Sequence, residues 1–185
     1  MLLLNEKEKM SLPSLAPGQD ESLEQTASRL IASLIDRRAS HLEQLYTYGE
    51  ASQPVRVVYF ALVIAATLPM PGAGVRWVPI AGAKGLPAME TGILTYGVRR
   101  LRYKLEYSAV GFHLLPGEFT LSELQHTYEI ILGEHLDKRN FRRRLLHSGI
   151  VEATPRQRSG DRRPARLYRY RPDAVAEVKA RRLFP

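Results

Sequence analysis

Apolar positions along this chain repeat with two different periods, and the switches between them mark out its elements. Over 21–41, Leu23, Leu30, Ile31, Leu34 and Ile35 return at helical intervals and predict a helix. VRVVYFALVI (55–64) and VRWVPI (75–80) are apolar runs of strand length, parted by the breaker PMPGAG. AGAKGLPAMETG (81–92) reads as a loop. Leu94, Val98, Leu101 and Leu105 then form one stripe and predict an amphipathic helix over 93–106. This helix is expected to link an α/β module, 1–106, to a smaller module, 107–185.

The second module is punctuated more fully. In FTLSEL, Thr120 is an N-cap with Glu123 in the capping-box position, and Phe119 and Leu124 occupy the two places of a hydrophobic staple. Leu121, Leu124, Tyr128 and Ile131 give this helix an inward face, and Gly133 stops it. The device then repeats: Asp137 is the next N-cap, Leu136 and Phe141 are the staple, and Gly149 ends the second helix. Two capped helices joined by a tight turn make a helix-turn-helix. IVEAT, the polar loop PRQRSGDRRPA and RLYRYRP follow as strand, basic loop and strand, the order of parts in a winged helix.

Charge sharpens this picture. The net charge is +8, and twelve Lys or Arg against three Asp or Glu lie between 136 and 171. Outside that segment fifteen basic residues face sixteen acidic ones, so the second helix and its wing hold all of the excess. Concentrated cations are what a phosphate-rich partner requires. The absence of cysteine excludes disulfides, thiolate metal sites and thiol catalysis. MLLLNEKEKM is too short in apolar length for a signal peptide, and VVYFALVIAATLPM falls short of a membrane span. A soluble, cytoplasmic protein is expected.

A basic helix by itself is more often a solvated face than a binding face. Here, however, LDKRNFRRRLLHSG (136–149) has a phase. With Phe141 at zero on the helical wheel, Leu145 lies near ~40° and Leu146 near ~140°, and all three are expected to dock inward. Arg139, Asn140 and Arg143 fall on the opposite side. They are the candidates for base edges, because Arg pairs bidentately with guanine and Asn with adenine. Lys138, Arg142 and Arg144 are placed for phosphates, and Arg156, Arg158, Arg162, Arg163 and Arg166 of the wing for backbone or minor groove. The partner indicated is duplex DNA, since the element is a groove-sized helix without an aromatic stacking platform.

YEIILGEHLDKRNFRRRLLHSGIVE and RRPARLYRYRP resemble the C-terminal winged helix of the Nudix-related transcriptional regulators of the NrtR type. LLPGEFTLSELQ and LEQLYTYGE extend the resemblance over most of the chain from Glu21 onward, and it is most specific from Leu114 to Pro172. The resemblance implies an α+β fold, an incomplete Nudix-like α/β domain followed by a winged helix-turn-helix domain. It also implies a homodimer that binds a palindromic operator and represses genes of NAD metabolism. The Nudix-like domain of such regulators senses ADP-ribose or a related adenine nucleotide.

The catalytic Nudix pattern is only partly present. It runs Gly, Glu, then REUxEExGU, where glutamates hold Mg²⁺ against a pyrophosphate. Gly18 and Glu24 fit its start, but Ala32 and Ser33 replace Arg-Glu, Asp36 and Arg37 replace the glutamate pair, and Ala39 replaces Gly. Mg²⁺ demands clustered hard oxygen ligands, so no catalytic residue, metal or cofactor is expected and the helix is expected to serve as scaffold. The family also often carries Asp-His where this chain has Glu90-Thr91. About one strand precedes the box, so either the start is late, or the domain is trimmed, or a partner completes it. Two rivals stand beside the repressor reading, a divergent Nudix hydrolase of nucleoside diphosphate derivatives and a non-specific nucleic-acid-binding module. The five histidines show no metal-ligand spacing, and no G-x4-GK[ST] loop is present. The pair Tyr46 and Tyr48, and Trp77, are candidates for stacking an adenine, though packing roles suit them better.

Overall fold

The computed structural model describes residues 2–5, 10–49, 51, 54–64, 66, 68, 70–159 and 164–174. The chain divides into two compact units, 1–63 with 67–97, and 64–66 with 98–185.

In the first unit, α1 spans Leu23–Ile35. Its entry is a reciprocal cap: the Gln25 amide N–H donates to Ser22 Oγ at 3.1 Å, and the Ser22 N–H donates to Gln25 Oε1 at 2.8 Å. The helix does not continue to residue 41 as its apolar spacing suggested. Asp36 takes a left-handed conformation (φ 51°) and its N–H closes on the Ala32 carbonyl at 2.8 Å. After Ile35 the sequence DRRAS offers no large apolar side chain to hold another turn inward.

His41 instead opens β2, His41–Tyr48, antiparallel to β3, Arg56–Leu62. The register shifts between Gln44 and Tyr46, which interrupts the two-residue alternation that identifies a strand. β4, Val75–Val78, pairs with β1, Leu2–Asn5, Leu2 opposite Val78. β4 stops short of residue 80 because a 3-10 turn occupies Ile80–Gly82 after Pro79. Ile35 and Val75 form the buried centre, with Ile31, Leu34, Val63 and Trp77 packed on it, so Trp77 is a packing residue.

α2 runs Ala88–Tyr107, five residues longer at its start than the apolar stripe indicated. The Pro87 carbonyl accepts the Thr91 N–H at 2.9 Å, so part of the expected loop is already helical. Glu90 in this first turn is buried and accepts the Leu12 N–H at 2.6 Å. The division between the two units falls within α2, between Gly97 and Val98.

The second unit contains α3, Leu121–Leu132, and α4, Lys138–His147, then β5, Val151–Arg158, antiparallel to β6, Ala165–Tyr170. Both expected caps form: Thr120 Oγ1 accepts the Glu123 N–H at 3.2 Å, and Asp137 Oδ1 accepts the Asn140 N–H at 2.7 Å. Gly133 and Gly149 both adopt positive φ, 78° and 69°, and end the two helices. Phe119, Leu124, Tyr128, Phe141, Leu145 and Ile150 are almost wholly buried, and the Tyr128 and Phe141 rings meet edge to face at 5.8 Å.

The wing differs from its reading in one respect. β5 extends through Pro155 to Arg158, so Arg156 and Arg158 lie on a strand and not in the loop. A register shift between Ala153 and Gln157 accommodates the proline, which cannot donate to the ladder. Phe119 exchanges backbone hydrogen bonds with Tyr168 at 2.9 and 2.8 Å, which fastens the segment before α3 to β6.

Gly111 sits where a Cβ would come within 2.7 Å of the Tyr128 ring and 2.9 Å of Leu105, both immobilised by burial. Gly111→Ala is therefore expected to destabilise the chain by about 1–3 kcal/mol through overpacking, measurable as a lowered urea midpoint.

Candidate nucleic-acid interface

The site begins with the turn between α3 and α4. Glu129 Oε1 accepts the Leu136 N–H at 2.9 Å and the Gln125 amide at 3.0 Å, while Gln125 Nε2 also donates to the Leu136 carbonyl at 2.9 Å. Both backbone groups of Leu136 are thus held by α3, one residue before the α4 cap. The Leu136 N–H, followed by the Gln125 amide, holds the Glu129 carboxyl below its ordinary range. The turn length was legible in the sequence, but this lock was not, because Gln125 and Glu129 carry no motif.

Burial of Phe141 and Leu145 then sets the rotation of α4. Lys138, Arg139 and Arg143 are exposed, and Asn140 and Arg144 are partly so. Arg143 Nη2 donates to Asn140 Oδ1 at 2.8 Å, which joins two of the three expected base readers into one polar surface. Arg142 is half-buried and donates to Ser122 Oγ of α3 at 2.9 Å, with its buried Nε lacking a hydrogen-bond partner among the described residues. Its wheel position, near ~100° from Phe141, explains this, since it falls inside the inward arc.

Leu146 corrects the expectation that it docks with Phe141 and Leu145. It is 48% exposed, because the buried arc closes around Phe141 and Leu145 and leaves the position near ~140° outside.

In the wing, Arg156 is 74% exposed and pairs with Glu118 at 3.2 Å. Arg158 pairs with Glu123, whose other oxygen serves the α3 cap. Arg166 is exposed on β6, and Arg162 and Arg163 lie outside the described residues. Arg169 pairs with Glu152 across the two strands. Cations on α4 and β5 thus belong to one unit, arranged on a docked helix and a tethered strand pair. Such an arrangement can neutralise several phosphates together.

The first unit offers a different surface. Tyr46 contacts Tyr48 at 5.9 Å and Tyr96 at 5.7 Å between ring centroids. These tyrosines, with Leu45, Gly92 and Ile93, line an open groove of about 300 Å³. At the Nudix-like helix, Asp36 lies past the last turn as the left-handed cap. Glu21 binds Arg29 at 2.7 Å, and this pair, with the Gly18 N–H, pulls its carboxyl down to about 2. Among the described residues no group of three or more His, Asp or Glu side chains is placed to hold a metal ion. No helix among them is long and apolar enough to cross a membrane.

A Nudix-like α/β unit followed by a winged helix-turn-helix is the class that this architecture defines. Residues 111–170 match the NrtR DNA-binding winged helix domain. The chain is 35% identical over 162 residues to the ADPR responsive transcriptional repressor NtrR of Acinetobacter baylyi, covering 82% of this chain. It spans 65% of the length of that curated relative. The crystal structure of Shewanella oneidensis NrtR complexed with a 27mer DNA superposes with a TM-score of 0.80 at 30% identity, covering 98% of this chain and 91% of that one. The crystal structure of Shewanella oneidensis NrtR gives a TM-score of 0.81 at 31% identity, covering 97% of this chain and 91% of that one. The chain belongs to the NrtR family.

Loss of the turn lock has a defined consequence. Glu129→Ala should accelerate hydrogen exchange of the Leu136 amide by roughly tenfold or more, the scale of one lost charge-assisted hydrogen bond. Because the folded pKa of Glu129 lies below its ordinary value of 4.5, its stabilisation is complete above that pH and is lost as pH falls through the depressed value. The wild-type advantage over Glu129→Ala should therefore shrink in acid and persist at neutrality.

Proposed function

We propose that this chain is a transcriptional repressor of NAD-metabolism genes, acting as a homodimer on a palindromic operator in duplex DNA. The observation that carries the reading is the outward face of α4, where Arg139, Asn140 and Arg143 stand together on a helix locked to α3. Arg139, Asn140 and Arg143 read base edges. Lys138, Arg142, Arg144 and the wing residues Arg156, Arg158, Arg162, Arg163 and Arg166 contact the DNA backbone or the adjacent minor groove. Residues 107–185 form the DNA-binding part and 1–106 the sensing part. The effector is ADP-ribose or a related adenine nucleotide, as the name of the Acinetobacter relative suggests. The protein works in the cytoplasm, where its operator lies.

The Nudix-like part is not a hydrolase in this reading. Ala32, Ser33 and Arg37 stand where an active site needs its ion pair and carboxylates, and Asp36 is committed to ending α1. A pyrophosphate-bound Mg²⁺ would meet one carboxylate beside a repelling guanidinium.

The test is nuclease footprinting of the full chain on DNA upstream of its own gene and of neighbouring NAD genes, at physiological salt, with and without ADP-ribose or ATP. The expected result is one protected palindrome whose occupancy changes when a nucleotide is added. No protected palindrome on any of these DNAs overturns the repressor reading.

A further inference from the structure

Leu146 is the residue of α4 that the packing does not explain. Leu145 beside it is 1% exposed, whereas Leu146 presents about half of its surface to water on the most cationic of the described helices. Isolated surface leucines are ordinary, so exposure alone decides nothing. Position does. On the helical wheel Leu146 falls within roughly 60° of both Arg139 and Arg143, on the side away from Phe141. The three residues are spaced four and three apart and rise about 10 Å along the axis, close to three base-pair steps.

The surroundings limit what can cover this side chain. Arg143 and His147 stand beside it on the exposed surface, and Arg139 lies two turns away along the same face, so a partner there must satisfy cations while offering one small apolar group. The major groove does both: phosphates line its edges, and the thymine 5-methyl is the apolar group on its floor. We propose that Leu146 is a specificity-determining residue that packs on a thymine methyl, at the opposite end of the reading face from Arg139. The proposal rests on the DNA-binding reading above and adds a base preference to it.

The experiment uses the full chain and the operator found by footprinting, with each thymine of a half-site replaced in turn by deoxyuridine, which lacks only the methyl group. Affinities are measured by fluorescence anisotropy for wild type, Leu146→Ala and Leu146→Gln, with melting curves confirming that the variants fold. One thymine is expected at which deoxyuridine weakens wild type about fourfold, the factor for one buried methyl. The same replacement should leave both variants unchanged. Specific operator binding with no thymine coupled to Leu146 overturns this inference and leaves the repressor reading intact. So does a change in self-association of Leu146→Ala without DNA, which would make the position a protein interface. If no DNA is bound specifically, the repressor reading fails first.

Discussion

Insertion of Phe141 and Leu145 beneath α4 is the contact from which the rest of the basic surface follows. Their burial, with the Phe141 ring against Tyr128, fixes the helix rotation, and a helix so fixed has no freedom left to choose which arginines it shows. Arg139 and Arg143 are exposed because they lie opposite the buried pair, and Arg142 is drawn to Ser122 because it lies near it. The Leu136 lock adds the second constraint, setting the height of α4 as the core sets its rotation. Polar reading surfaces need this support, since a misplaced guanidinium loses the bidentate geometry that distinguishes bases.

The wing is held by the same residues that build the helices. Glu123 caps α3 through one oxygen and receives Arg158 through the other, so a local helix signal and a tertiary ion pair share one carboxylate. Phe119 likewise precedes the cap, is buried, and pairs its backbone with β6. Exposed pairs such as Arg156 with Glu118 contribute little to stability. Their consequence is positional, because they tie wing cations to α3 and the segment before it.

Much of this second unit was legible in the sequence because its signals are local. Thr120, Gly133, Asp137 and Gly149 each act within one helical turn, and all four take the expected positions. What escaped was tertiary: the fate of Leu146 at the margin of the buried arc, the reach of β5 past Pro155, and the Gln125 and Glu129 lock. The first unit was less legible for a physical reason. Its strand His41–Tyr48 carries a register shift and follows a helix whose end depends on one left-handed aspartate, which favours that conformation less than glycine does. There the apolar pattern overran the helix, and the strand showed only as a family likeness.

In the proposed complex the outward face of α4 enters the major groove. Dimethyl sulfate methylates guanine N7 on the floor of that groove, so methylation protection of the bound operator reports directly on it. Protection of guanine N7 in two half-sites about one helical turn apart, lost with Arg143→Ala at the matching guanines, is the result expected. Unprotected guanine N7 under full occupancy would place α4 outside the groove and contradict the account.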